Sequence, residues 1–179
     1  MTGGQTYPAV MIASMTITPD WERRSAELWA AIDDHEPEEF RRRVDELAAE
    51  LPDGDPVVAF ERACAFDSTG HSDRAVPLYR EALRAGVTGI RRRRSVIQLA
   101  SSLRNIGRAQ EAVELLTAER QQPSDELDDA VAATLALALT SVGREREAVS
   151  VALAALAPHL PRYQRSMANY ARLLVEPES

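Results

Sequence analysis

The sequence has no lysine: all 21 of its basic residues are arginine. That absence excludes an imine on an amine side chain and the lysine of a phosphate-binding loop. Cysteine is nearly missing as well. Cys64 stands alone, so neither an internal disulfide nor a multi-cysteine metal site can form, and an unpaired thiol suits a reducing cytoplasm. His35, His71 and His159 are far apart and never at i, i+4 spacing, which leaves a metal cluster without local support. Neither metal nor cofactor is expected. No apolar run reaches the length of a bilayer span. The uncharged start, Met1 to Thr18, lacks the basic segment of a secretory signal, and residues 1–18 are read as a flexible tail. No nucleophile, acid and base converge in the pattern, so catalysis is not expected.

What the chain does contain is alanine, leucine, glutamate and arginine, all good helix formers, and no long alternating β-branched run. The fold class is therefore all-α. One stretch occurs three times: Gly70 to Val76, Gly107 to Val113 and Gly143 to Val149, each a glycine, four mostly polar residues and Ala-Val. The copies lie 37 and 36 residues apart, a period that marks stacked helical repeats.

Thr18-Pro19-Asp20 reads as a helix start, with a capping hydroxyl, proline at the first position and acid in the first turn. Trp21, Ser25, Leu28 and Ile32 share its apolar face. A second helix opens at Glu36-Pro37 with Phe40, Val44, Leu47 and Leu51 as its stripe, so residues 19–53 form an N-terminal hairpin. Three helix pairs follow over residues 55–157, divided as 55–87, 88–123 and 124–157. Each glycine supplies the turn inside a pair. In the first pair Asp73 is expected to cap the second helix, which puts Pro77 at its fourth position, where it removes at most one backbone bond. Ser124 is expected to cap the first helix of the third pair, with Asp125 and Glu126 in its first turn. That helix is apolar almost all round between Ala130 and Leu139 and should be buried on more than one side. A last helix over 160–175 is expected to bury Tyr163, Met167, Tyr170 and Leu174, and to show solvent its arginines, closing the stack.

Small residues at fixed places in the three pairs carry a family resemblance. The first has Ala63, Phe66, Gly70, Ala75, Tyr79 and Ala82. The second has Ala100, Leu103, Gly107, Ala112 and Leu116, with Glu119 where an alanine is usual. The third has Ala136, Leu139, Gly143, Ala148, Ala152 and Ala155. This pattern resembles the tetratricopeptide repeat family, in particular small bacterial members with a leading helical hairpin. The resemblance implies a right-handed α-α superhelix of about nine helices that binds a protein or peptide along a concave groove. It also implies a homodimer, as in some such members. Carried over by position, the groove would be lined by Phe60, Cys64 and Asp67, then Arg94, Ile97, Ser101, Arg104 and Asn105, then Leu137 and Ser141.

Charge is unevenly spread. Asp20 to Asp55 holds 13 acids against 5 arginines, while Gly86 to Gln110 holds 6 arginines and no acid. At the centre of the basic zone is Arg91-Arg92-Arg93-Arg94. Successive residues turn by about 100° around a helix, so the four cannot share a face. Three uses are open to them: ion pairs to Asp55, Glu61 or Asp67, a grip on an acidic peptide or a C-terminal carboxylate by Arg94 and Arg104, or contact with nucleic acid. Acidic overall charge and the lack of aromatics near the arginines weigh against nucleic acid. The expectation is a non-catalytic, cytoplasmic protein-interaction scaffold with an acidic protein or peptide partner. A nucleic-acid-binding helical repeat using Arg91–Arg94 is the alternative. Self-association is expected through the acidic hairpin, the basic middle and the apolar Trp21/Trp29 stripe.

Overall fold

The computed structural model describes residues 17–176; the tail read over residues 1–18 lies almost wholly outside the described residues. Within them the chain forms nine α-helices and no strand. They are α1 (Pro19–Ala30), α2 (Pro37–Ala48), α3 (Pro56–Ser68), α4 (Ser72–Arg84), α5 (Gly89–Asn105), α6 (Ala109–Glu119), α7 (Asp128–Ser141), α8 (Glu145–Leu156) and α9 (Gln164–Leu173). Short 3-10 turns at Ile32–Asp34 and Ala157–His159 separate α1 from α2 and follow α8.

Helix starts follow the local chemistry where a proline is present. The Thr18 hydroxyl accepts the Trp21 N–H at 3.2 Å and Pro19 takes the first helical position. The Asp55 carboxylate likewise accepts from Val57 N–H at 2.9 Å, with Pro56 next. Gly70, Gly107 and Gly143 turn the chain with φ of +82°, +81° and +75°. At each, the following N–H reaches back to the helix: His71 to Phe66 O at 2.9 Å, Arg108 to Leu103 O at 2.8 Å and Arg144 to Leu139 O at 3.0 Å. These bonds satisfy orphan carbonyls at the helix end, and the backbone they need is open to glycine without a Cβ penalty.

Two starts differ from the expectation. α4 begins at Ser72, not after Asp73, because the His71 carbonyl already accepts from the Arg74 and Ala75 N–H groups, each at 3.0 Å. Pro77 is therefore the sixth residue of the helix and sits inside it. α7 begins at Asp128, four residues beyond Ser124. There the Asp125 carboxylate takes the Leu127 N–H at 2.8 Å, holding residues 125–127 in a turn, and the Ser124 hydroxyl donates to Asp128 at 2.5 Å. Asp128 and Asp129 supply the first-turn acids instead.

The helices stack in pairs. α4 packs on α3 and α5, α6 on α5 and α7, and α8 on α7, while α5 also rests against both α3 and α7. One apolar core runs unbroken from Ala59 to Ala148. Alanines fully buried at Ala63, Ala75, Ala100 and Ala112 let the backbones approach. Tyr79 and Leu116, one turn beyond those in the second helices, are fully buried too. A smaller cluster of Phe40, Val44 and Ala65 joins the hairpin to α3, with Leu28, Trp29 and Ile32 at its edge. Trp29 meets Phe40 edge to face at 5.0 Å and also touches the main core. In α2 Ala48 is buried, while Leu47 and Leu51 are half-buried.

The last helix is turned relative to expectation. α9 buries Ala171 and half-buries Met167 and Leu174, but Tyr163 and Tyr170 are 72% and 55% exposed. Tyr163 lies outside the helix at φ +70°, so it cannot continue the stripe. Tyr170 falls on the flank of α9 turned away from α8, whose Ser150 hydroxyl donates to the Ala171 carbonyl at 2.6 Å.

Candidate interaction surfaces

Four consecutive arginines at the front of α5 point in four directions, as a 100° step requires. Arg91 makes a two-pronged bond to the Glu22 carboxylate of α1, at 2.8 and 2.6 Å, and its Nε lies 3.5 Å from Glu61. Arg92 pairs with Glu119 at the end of α6. Arg93, 4% exposed, bonds Asp128 of α7 at 2.5 Å and the Pro123 carbonyl at 3.2 Å, and its NH1 stands 3.4 Å from Glu119. The run therefore stitches α1, α6 and α7 to α5. Of the three acids expected as partners, Glu61 alone is reached; Asp55 caps α3, and Asp67 is used elsewhere.

Arg94 is different. Its guanidinium rests over the Phe60 ring at 5.0 Å, is exposed, and has no carboxylate within ion-pair distance among the described residues. Arg104, ten residues on, reaches only the Asn105 side-chain oxygen at 3.1 Å. Its buried Nε has no partner.

The remaining groove positions divide by depth. Phe60 and Cys64 are 0% and 1% exposed, so they line no open groove; α5 and the Arg94 side chain cover them. The Cys64 thiol donates to Gln98 of α5 at 3.3 Å, and burial pushes its pKa up to about 12, so it is a protonated packing group at neutral pH. The Asp67 carboxylate accepts from Ser102 of α5 at 2.7 Å and from Ser72 at 3.3 Å. It is spent on joining α3 and α4 to α5. Asn105 extends that seam by donating to Ser72 at 3.2 Å. Ile97 and Ser101 are half-buried, and Leu137 and Ser141 are exposed, Leu137 by 55%.

Glu61, expected as an ion-pair partner, is also a buried acceptor. It is 5% exposed, accepts the Trp29 indole N–H at 2.8 Å, and its pKa is raised, chiefly by burial. Trp21, 3% exposed, donates its own indole N–H to Leu47 O at 2.9 Å. Both indole N–H groups of the stripe expected to cover a second chain are thus bonded within this one, with Trp21 buried and Trp29 half-buried. Among the described residues no group of three or more His, Cys, Asp or Glu side chains could hold a metal, and no helix is long and apolar enough to cross a membrane.

Repeated pairs with buried small residues, glycine turns and a shared core decide the family, and a family model described as Tetratrico peptide repeat matches residues 56–174. The chain belongs to the tetratricopeptide repeat family. The match begins at α3 and runs through α9. Comparison with curated proteins and with solved structures finds no match. The family is a protein-interaction scaffold in general. Glu119 stands at a position where tetratricopeptide repeats usually have alanine, and that departure was the one sequence signal that could have located the partner of Arg92 and Arg93.

Proposed function

We propose that this tetratricopeptide protein is a non-catalytic module that binds an acidic protein segment along the exposed side of α5. The observation that carries the reading is the contrast within one helix. Arg91, Arg92 and Arg93 each have a carboxylate partner, whereas Arg94 and Arg104 have none among the described residues. Ten residues of helix set the two guanidiniums about 15 Å apart along the axis, which four or five extended residues would span. Each can make two parallel bonds to a carboxylate, and Arg94 already rests over the Phe60 ring. The pairing of the other three arginines removes most of the charge that nucleic acid would need.

A displayed library of random peptides tests this directly. The parent should enrich sequences with acids four or five residues apart, and their binding should weaken with salt. Arg94→Glu combined with Arg104→Glu should abolish that binding while leaving the circular dichroism spectrum unchanged. Enrichment without acids, or equal binding by the double variant, would overturn the reading.

A further inference from the structure

The three repeats offer the same face to whatever follows them, and its burial declines along the stack. Stepping by 37 and then 36 residues equates Cys64, Ser101 and Leu137 in the first helices, and Val76, Val113 and Val149 in the second. Cys64 is 1% exposed and Ser101 half-buried, but Leu137 is 55% exposed. Val76 and Val113 are 4% and 3% exposed, but Val149 is 48%. In the first two repeats this face is covered by the next first helix, α5 and then α7. In the third, no described residue covers it. α9 is the next helix, yet it packs on α8 and the short turn at Ala157–His159 and does not settle against α7. What remains is an open apolar trough between α7 and α8, floored by Ala136 and Ala148 and walled by Leu137, Val149 and Ala152.

The shape of the missing occupant can be read from the helices that fill the equivalent troughs. α5 presents Ser95, Leu99, Ser102 and Leu103, and α7 presents Val131, Leu135, Ala138 and Leu139, all buried. Both follow the spacing n, n+4, n+7, n+8, with a leucine at the second and fourth places. α9 carries Ser166, Tyr170 and Leu173 at the first three of these places on its exposed flank, with the half-buried Leu174 at the fourth, just past its end, so that the second and fourth places are again large and apolar. Tyr170 and Leu173 are 55% and 50% exposed. Seven of the nine exposed large apolar residues among the described residues lie between Leu137 and Val175. Trough and stripe thus share one end of the molecule.

We infer that the trough is filled by α9 of a second copy of this chain, in a two-fold dimer where each protomer's α9 completes the other's stack. A two-fold axis satisfies both surfaces at once. It also repeats every contact, raising the area toward the roughly 1,200–2,000 Å² that stable interfaces bury. The inference does not rest on the acidic-peptide reading, because Arg94 and Arg104 belong to α5 and their substitution leaves trough and stripe intact. Nor does it use the hairpin, whose indole N–H groups are bonded within the protomer, Trp21 to Leu47 and Trp29 to Glu61.

Light scattering across a concentration series, with a cross-linking arm, tests the dimer. The full chain should have twice the monomer mass. Val149→Glu, or Tyr170→Glu with Leu173→Glu, should each weaken association about tenfold or more. These residues are exposed in the protomer, so an unchanged circular dichroism melt distinguishes lost docking from lost folding. For the second arm, Leu137→Cys and Leu173→Cys are made in separate chains, mixed, and treated with a short bismaleimide. A doubled-mass product formed in the mixture in excess of either chain alone is the result expected. A monomer at all concentrations overturns the inference, as does a dimer indifferent to Val149→Glu. Cross-linking within a single chain carrying both cysteines, at monomer mass, would show α9 filling its own trough, and would overturn it equally.

Discussion

Glu119 shows how one residue can contradict a repeat pattern and still fit the fold. An alanine is usual at its position because two helices approach closely there; a glutamate is larger and charged. Its side chain is 3% exposed, and burying an unpaired carboxylate would be costly. Arg92 and Arg93 arrive from the other helix of the same repeat and neutralise it. Breaking a buried pair outright costs about 3 kcal/mol, but here each partner keeps a second one: Arg92 still meets Glu119 without Arg93, and Asp128 still meets Arg93 without Glu119. Arg93→Met and Glu119→Ala should therefore each lower stability by about 1–2 kcal/mol, while the double variant should cost less than their sum. Urea titrations of the four proteins measure the coupling, and additive losses would show that the pair is incidental. Glu61 is the opposite case. Burial raises its pKa above the ordinary 4.5, with the Trp29 and Arg91 bonds opposing. Between the ordinary and the raised value the native state holds a proton that the unfolded chain has released, so stability falls as pH rises through that window. Glu61→Gln keeps an acceptor for the Trp29 indole and removes the charge. Its urea midpoint should exceed the parent's at pH 7 and lose that downward slope; a slope equal to the parent's would clear Glu61 of responsibility.

At the scale of helices, Pro77 offers the cleanest test. It is exposed and contributes no packing, yet at the sixth position of α4 it deprives the Asp73 carbonyl of its helical bond. Pro77→Ala should raise stability by about 1–3 kcal/mol, read as a higher urea midpoint with unchanged slope. No gain would mean that α4 needs the bend to lie between α3 and α5. The glycine turns were legible in the sequence because a left-handed residue at a helix end leaves a local signature, and the alanine faces because burial follows the helical period. The starts of α4 and α7 were not. Both depend on which of several neighbouring polar groups wins the first carbonyl or N–H, a competition among nearly equal local bonds. The rotation of α9 was hidden for another reason: Tyr170 and Ala171 differ by only 100° on the helix, and periodicity does not say which flank a neighbour will take. The groove residues were misjudged at Phe60 and Cys64 on the same ground, since the face that lines a groove in one repeat is the face the next helix covers.

Over the whole molecule, charge that looked like a surface for partners is largely internal bonding. The acidic hairpin and the basic front of α5 meet through Arg91 and Glu22, 69 residues apart in sequence, and through Glu61 beneath them. That tie matters because the hairpin has only a small core of its own, joined to the main one by Trp29. Both tryptophans, Trp21 and Trp29, lie in α1, so their fluorescence reports the hairpin while far-ultraviolet dichroism reports every helix. In the parent the two urea transitions should coincide, as they do when a stack unfolds as one unit. Arg91→Gln removes a partly exposed pair worth up to about 1 kcal/mol, enough to move the hairpin's midpoint down by about 0.3–0.5 M urea. The dichroism midpoint should hardly move, since α3 to α8 keep their continuous core. Two separated transitions would identify the arginine run as the element that makes hairpin and repeats cooperative. If the transitions still coincide in the variant, Trp29 packed against Phe40 and Glu61 is sufficient to couple them, and the run's function narrows to Arg92 and Arg93 around Glu119.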